Sequence, residues 1–144
     1  MSIKLKFEGF EDILNDIAKA NGSINSATRE CMVKSADIMD KELKTQMQFA
    51  NVDSDLIASM PPPEVESKAN RVTARVGYKK GAYDPHNPSD GYKVVFLNYG
   101  TPNRTVHGKV RARGFIQKAK NHAKKAIKDE QEKTLKEILK GLKQ

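Results

Sequence analysis

Tryptophan is absent from this chain, and Cys31 is the only thiol among 144 residues. No internal disulfide can form, and a thiolate metal site would need other ligands. A reducing compartment fits that usage. Aromatic residues make up 6% and apolar residues 38%, while charged residues reach 31%. That is less apolar and more charged than an ordinary globular chain. The core is therefore expected to be thin, with long solvated helices or a surface covered on assembly. Long apolar runs are missing too. No window approaches the ~20 residues of a membrane-spanning helix. The first ten residues alternate polar and apolar types, unlike a signal peptide. The protein is expected to be soluble, with no membrane contact, and made in a cytoplasm.

Reactive constellations are equally scarce. The phosphate-cradling patterns Gly-x-x-x-x-Gly-Lys-Ser/Thr and Gly-x-Gly-x-x-Gly do not occur. His86, His107 and His122 stand apart, with no His-x-x-x-His or His-Glu pair to hold a metal. Cys31 falls in an apolar stripe and reads as a small core residue rather than a nucleophile. Asp53 and Asp55 read as turn formers. Glu64 and Glu66 flank Val65 on an expected edge strand, where charge discourages unwanted pairing. The chain is expected to be no enzyme and to bind no cofactor.

What is abundant is positive charge at one end. Residues 1–100 contain 13 Lys or Arg against 14 Asp or Glu; residues 101–144 contain 13 against 4. The net +8 therefore lies wholly after Gly100. Such asymmetry points to a polyanion or an acidic partner surface. Arg104, His107, Lys109, Arg111 and Arg113 crowd one segment and are candidate assembly or polyanion contacts. The segment could follow phosphates through charge alone, or could simply be solvated. It has no aromatic residue for stacking on single strands.

Periodicity gives the organisation. Ile3, Leu5 and Phe7 alternate with charged residues, as in a half-buried strand. Phe10, Ile13, Leu14, Ile17 and Ala18 recur at helical spacing. Asn21-Gly22 closes that helix, the glycine being suited to a left-handed turn, and Ser23 is a plausible N-cap for the next. Met32, Ala36, Met39, Leu43, Met47 and Ala50 mark a long helix of about 25 residues, roughly 38 Å. Pro61-Pro62-Pro63 is a stiff connector. Val72, Ala74, Val76 and Tyr78 read as a strand. Tyr92 to Tyr99, the most apolar run, reads as a further strand, central in the sheet. Gly114 opens a C-terminal helix over 114–143. Its last turns, with Leu135, Ile138 and Leu142, either leave the body or dock on a neighbour. The expectation is one α+β domain over 1–144 in the order β-α-α-β-β-β-α. An antiparallel sheet of about four strands packs on the long and C-terminal helices. Long loops cover 79–91 and 101–113, and loops of that length are usually functional or disordered.

The stretch Val94–Ala119, VVFLNYGTPNRTVHGKVRARGFIQKA, is the most distinctive. An apolar element ends in Asn-Tyr-Gly-Thr, and Arg-Gly-Phe-Ile opens the last helix. Phe96, Tyr99, Gly100, Thr101, Arg113, Phe115, Ile116 and Ala119 carry a pattern that resembles small tailed-bacteriophage proteins, the head–tail joining or tail-completion components. Leu56, within Asp53–Ser59, falls in a second similar segment. Asp55 stands where that family often has glycine, and Gly114 where it often has proline. The resemblance implies a structural virion protein of the neck or tail, from a phage or prophage. It would form a ring with its own copies and contact connector and tail proteins. Mobile loops would become ordered on assembly, and non-specific DNA contact is possible. The other class consistent with the charge is a small basic nucleic-acid-binding protein, although no helix-turn-helix, zinc or basic-zipper pattern is present.

Overall fold

The computed structural model describes residues 2–68, 71–79, 89–101 and 110–144. Strand β1, Ser2–Lys6, turns its alternate residues Ile3 and Leu5 inward. Helix α1 covers Glu11–Lys19 and helix α2 Ile24–Phe49. Ser23 caps α2, its hydroxyl accepting from the Ser26 amide at 3.2 Å. A short helix α3, Ser54–Ala58, follows with Asp53 as its cap, Oδ1 accepting from the Asp55 amide. Strand β2 is Glu64–Lys68 and strand β3 is Arg71–Gly77. Helix α4 covers Asp90–Tyr99 and helix α5 Phe115–Leu142.

The sheet is antiparallel in the order β1-β3-β2. Ile3 faces Val76 across β1 and β3, and Val65 faces Ala74 across β2 and β3. Val72, Ala74 and Val76 are buried in the core they share with α2, while Arg71 and Arg75 remain exposed. The fold is α+β, with helices on the buried face of a small sheet. Glu64 and Glu66 do lie on an edge strand, as their charge suggested.

Three expectations need correction. The described residues contain three strands, not four, because Tyr92–Tyr99 is helical. An apolar run this short fits either period. The helical reading wins because Gly91, Val94 and Asn98, spaced three and four residues apart, are the buried positions. The second correction concerns α1. Its left-handed residue is Asn21, at φ 63°, not Gly22. The Gly22 amide donates to the Ile17 carbonyl and that of Asn21 to Ala18, a Schellman closure. Gly22 is needed for another reason: a Cβ there would lie 2.5 Å from Leu142 Cδ1 and 2.7 Å from Ile17 Cγ2. The third concerns the end of α5, which stays on the body, although Leu142 remains exposed. Leu135 is fully buried with Ile17, Ala27 and Cys31, and Ile138 and Leu139 pack on the same cluster.

The helices α2 and α5 run antiparallel, since Cys31 and Ser35 meet Gln131 while Glu42 meets His122. A polar link crosses between them. The Gln131 amide donates to Ser35 Oγ at 2.9 Å, and Ser35 donates to the Cys31 carbonyl at 2.7 Å. Buried polar groups satisfied in this way fix register more than they add stability.

Candidate functional site

The sequence run that stood out folds into one frame. The helix α4 ends at Gly100, whose φ of 79° and ψ of 174° lie in a region nearly reserved for glycine. A Cβ there would stand 2.9 Å from both the Ala112 nitrogen and the Val110 carbonyl oxygen. Gly100 is thus fixed by conformation and by close backbone approach. Thr101 then pairs with Val110 twice. Its amide donates to the Val110 carbonyl at 2.9 Å, and its hydroxyl accepts from the Val110 amide at 2.8 Å. These bonds bring the two ends of segment 102–109 together. Arg104, His107 and Lys109 belong to that segment and lie outside the described residues, as do His86 and most of the 79–91 loop.

The chain then returns along the end of α4. The Arg113 amide donates to the Leu97 carbonyl and the Gly114 amide to that of Asn98, each at 3.0 Å. Asn98 is buried, and its Oδ1 accepts from the Ile116 amide at 2.9 Å. Gly114, left-handed at φ 61°, has no side chain to cap α5. Asn98 supplies that cap from another helix, satisfying one of the orphan amides of a helix start. Nothing local in the sequence marks this role, and Asn98 was not among the expected site residues. Phe115 and Ala119 are fully buried below the junction, whereas Phe96 is half-buried.

Arg113 does a structural task here. Its Nη1 donates to the carbonyls of Ala50 and Asn51 at 3.1 and 3.2 Å. Those carbonyls close α2, where a cation is favoured. Arg111 is exposed. Leu56 is half-buried against the core, and its carbonyl accepts from the Tyr78 hydroxyl. Burial pushes the Tyr78 phenol up to about 12, so it remains a donor at neutral pH.

Two aromatic rings stay outside this frame. Phe49 is 75% exposed and Tyr99 63%. Phe49 precedes Ala50, which Arg113 holds, and Tyr99 follows Leu97 by two residues, which Arg113 also holds. Both rings therefore project from the helix ends that Arg113 joins.

Reactive geometry is limited. Burial pushes the Cys31 thiol up to about 11, with Glu30 adding to the shift, so the thiolate needed for nucleophilic or metal chemistry is suppressed. His122 lies 3.8 Å from Glu42 on the surface. The Lys79 ammonium, 2.8 Å away, holds the exposed Glu64 carboxyl below its usual range. Among the described residues, no group of three His, Cys, Asp or Glu could hold a metal. None of the described helices is long and apolar enough to cross a membrane. Compared with protein families, curated proteins and solved structures, the chain matches none.

Proposed function

We propose that this chain works by contact, as an assembly component of a tailed-phage or prophage virion, at the head–tail junction or at tail completion. In this reading it turns over no substrate. It joins copies of itself into a ring and meets connector and tail proteins at the virion neck. The observation that carries the reading is the frame around Gly100, with Phe49 and Tyr99 exposed beside it. Large exposed aromatics at adjoining helix ends are typical of surfaces covered on association, where aromatic residues are enriched. The residues of the phage-like pattern support the same reading. Gly100, Thr101, Arg113 and Phe115 hold one junction together, so the pattern corresponds to a structural unit.

Light scattering of the purified chain over rising concentration, alone and with neck and tail proteins, tests this proposal. The expected result is a closed oligomer, or a stable complex with a tail or connector protein. The double substitution Phe49→Ser and Tyr99→Ser should leave the folded monomer intact and abolish association. A chain that stays monomeric at every concentration and binds none of those proteins would refute the proposal.

A further inference from the structure

The helix α5 has two electrostatically different halves. Its first fourteen residues, 115–128, contain Lys118, Lys120, Lys124, Lys125 and Lys128, with no Asp or Glu. From 129 to the C-terminus, Lys133, Lys136, Lys140 and Lys143 are matched by Asp129, Glu130, Glu132 and Glu137. All five lysines of the first half are exposed. None has an acid within ion-pair distance among the described residues, whereas Lys136 pairs with Glu132 at 2.9 Å.

The arrangement is unfavourable for the isolated helix. Lys120 and Lys124, Lys124 and Lys128, and Lys125 and Lys128 are like charges three or four residues apart. Each such pair destabilises a helix. The second half of the same helix has lysines at the same spacing, Lys133, Lys136 and Lys140, but there Asp129, Glu132 and Glu137 stand four or three residues from them and offset the repulsion. At 3.6 residues per turn the five lysines cover an arc of roughly 160° and, from Lys118 to Lys128, a length of about 15 Å. Gln117 and Asn121, both exposed, lie between the lysines. Acids border this face rather than enter it: Glu42 beside His122, and Asp129 and Glu132 one turn beyond Lys125 and Lys128.

We infer that this half of α5 is a docking surface for the phosphate backbone of double-helical DNA, read without regard to sequence. The composition selects the partner class. Lysine is depleted and arginine enriched where proteins meet proteins, and this face has five lysines and no arginine. Its lack of aromatic rings argues against single strands, which bind largely by stacking. Lysines act on phosphates as point charges and position a protein without specifying bases. Arg113, the best-described member of the basic segment, is engaged with α2. The face is a property of one copy of the chain, so it stands or falls apart from ring formation.

The test is fluorescence anisotropy of the full chain with a labelled duplex of about 20 base pairs, in two unrelated sequences, from about 50 to 200 mM salt. Both duplexes should bind equally. Five phosphate contacts imply a log–log salt slope of about −4.5, a loss of roughly 500-fold across that range. Lys120→Gln, Lys124→Gln and Lys128→Gln together should reduce the slope by about 3. Glutamine is nearly as good a helix former as lysine, so the fold is kept. The matched triple Lys133→Gln, Lys136→Gln and Lys140→Gln removes the same charge from the balanced half and should leave the slope unchanged. Equal effects of the two triples would reduce the result to net charge and overturn the inference. Tighter binding of a single strand, or equal binding of polyglutamate at matched charge, would overturn it too, the latter assigning the face to an acidic protein.

Discussion

Replacing Asn98 removes the cap that one helix lends to another. An exposed cap is worth about 1 kcal/mol on average. Here the acceptor and the recipient Ile116 are both buried, so water cannot take the place of the lost oxygen. Leaving a buried amide unsatisfied costs about 1–3 kcal/mol. The two figures describe the same donor and are not summed; the upper part of the range, about 2–3 kcal/mol, applies to Asn98→Ala. For a chain of this size that corresponds to a fall of roughly 5–10 °C in Tm. Asn98→Leu fills the volume without an acceptor and should lose a similar amount, which separates the cap from any void. Asn98→Asp retains the acceptor at a helix start, where negative charge is favoured, and should recover most of the loss. Urea titration of the four proteins, followed by circular dichroism, reads the differences. If Asn98→Leu matches the parent within about 0.5 kcal/mol, the ordinary scatter of a surface change, the capping argument is wrong.

Four further outcomes follow from the same structure. Gly100→Ala forces a side chain into a glycine-only conformation and against the Val110 and Ala112 backbone, and should cost about 3 kcal/mol in a thermal melt; a loss below about 0.5 would contradict the close approach. Arg113→Met should destabilise by about 1 kcal/mol and speed hydrogen exchange in the last turn of α2, leaving α1 unaffected. Gly22→Ala should cost about 1–3 kcal/mol by overpacking, and Leu142→Ala should suppress part of that loss in a double-mutant cycle. Cys31 gives a pH signature: its folded pKa of about 11 lies above the ordinary 9.0, so its contribution is intact below pH 9.0 and falls as pH rises toward 11. The stability gap between the parent and Cys31→Ala should narrow by roughly 2–3 kcal/mol over that window, and a constant gap would refute the burial argument.

Much of the framework was legible because it obeys one period at a time. The long stripe from Met32 to Met47, the alternation of Ile3 with Leu5, and that of Val72 with Ala74 and Val76 all fixed which face is buried. The α5 start at Phe115 was marked by its apolar spacing. The element before it was misread because Val94, Val95, Phe96 and Leu97 are apolar in succession, which erases the difference between periods of 2 and 3.6. The short helix α3 escaped notice because Asp53 and Ser54 signal a turn and a helix cap equally well. Roles that depend on distant partners were invisible. Asn98 caps a helix through an amide 18 residues further on, and Arg113 closes another by holding carbonyls 63 and 62 residues earlier. Local chemistry marks neither. The distinctive motif was visible as a pattern, but only the folded chain gives Gly100 its reason, a backbone too near to admit a methyl group.

The paired bonds between Thr101 and Val110 have a consequence for how such a chain can diverge. They separate the task of holding the scaffold from whatever is written between its two posts. Lengthening a tethered span adds only a logarithmic closure term, about 0.6 kcal/mol for each doubling. Additions between these two posts therefore leave the scaffold on either side of them insulated, since the paired bonds hold it independently of what lies between.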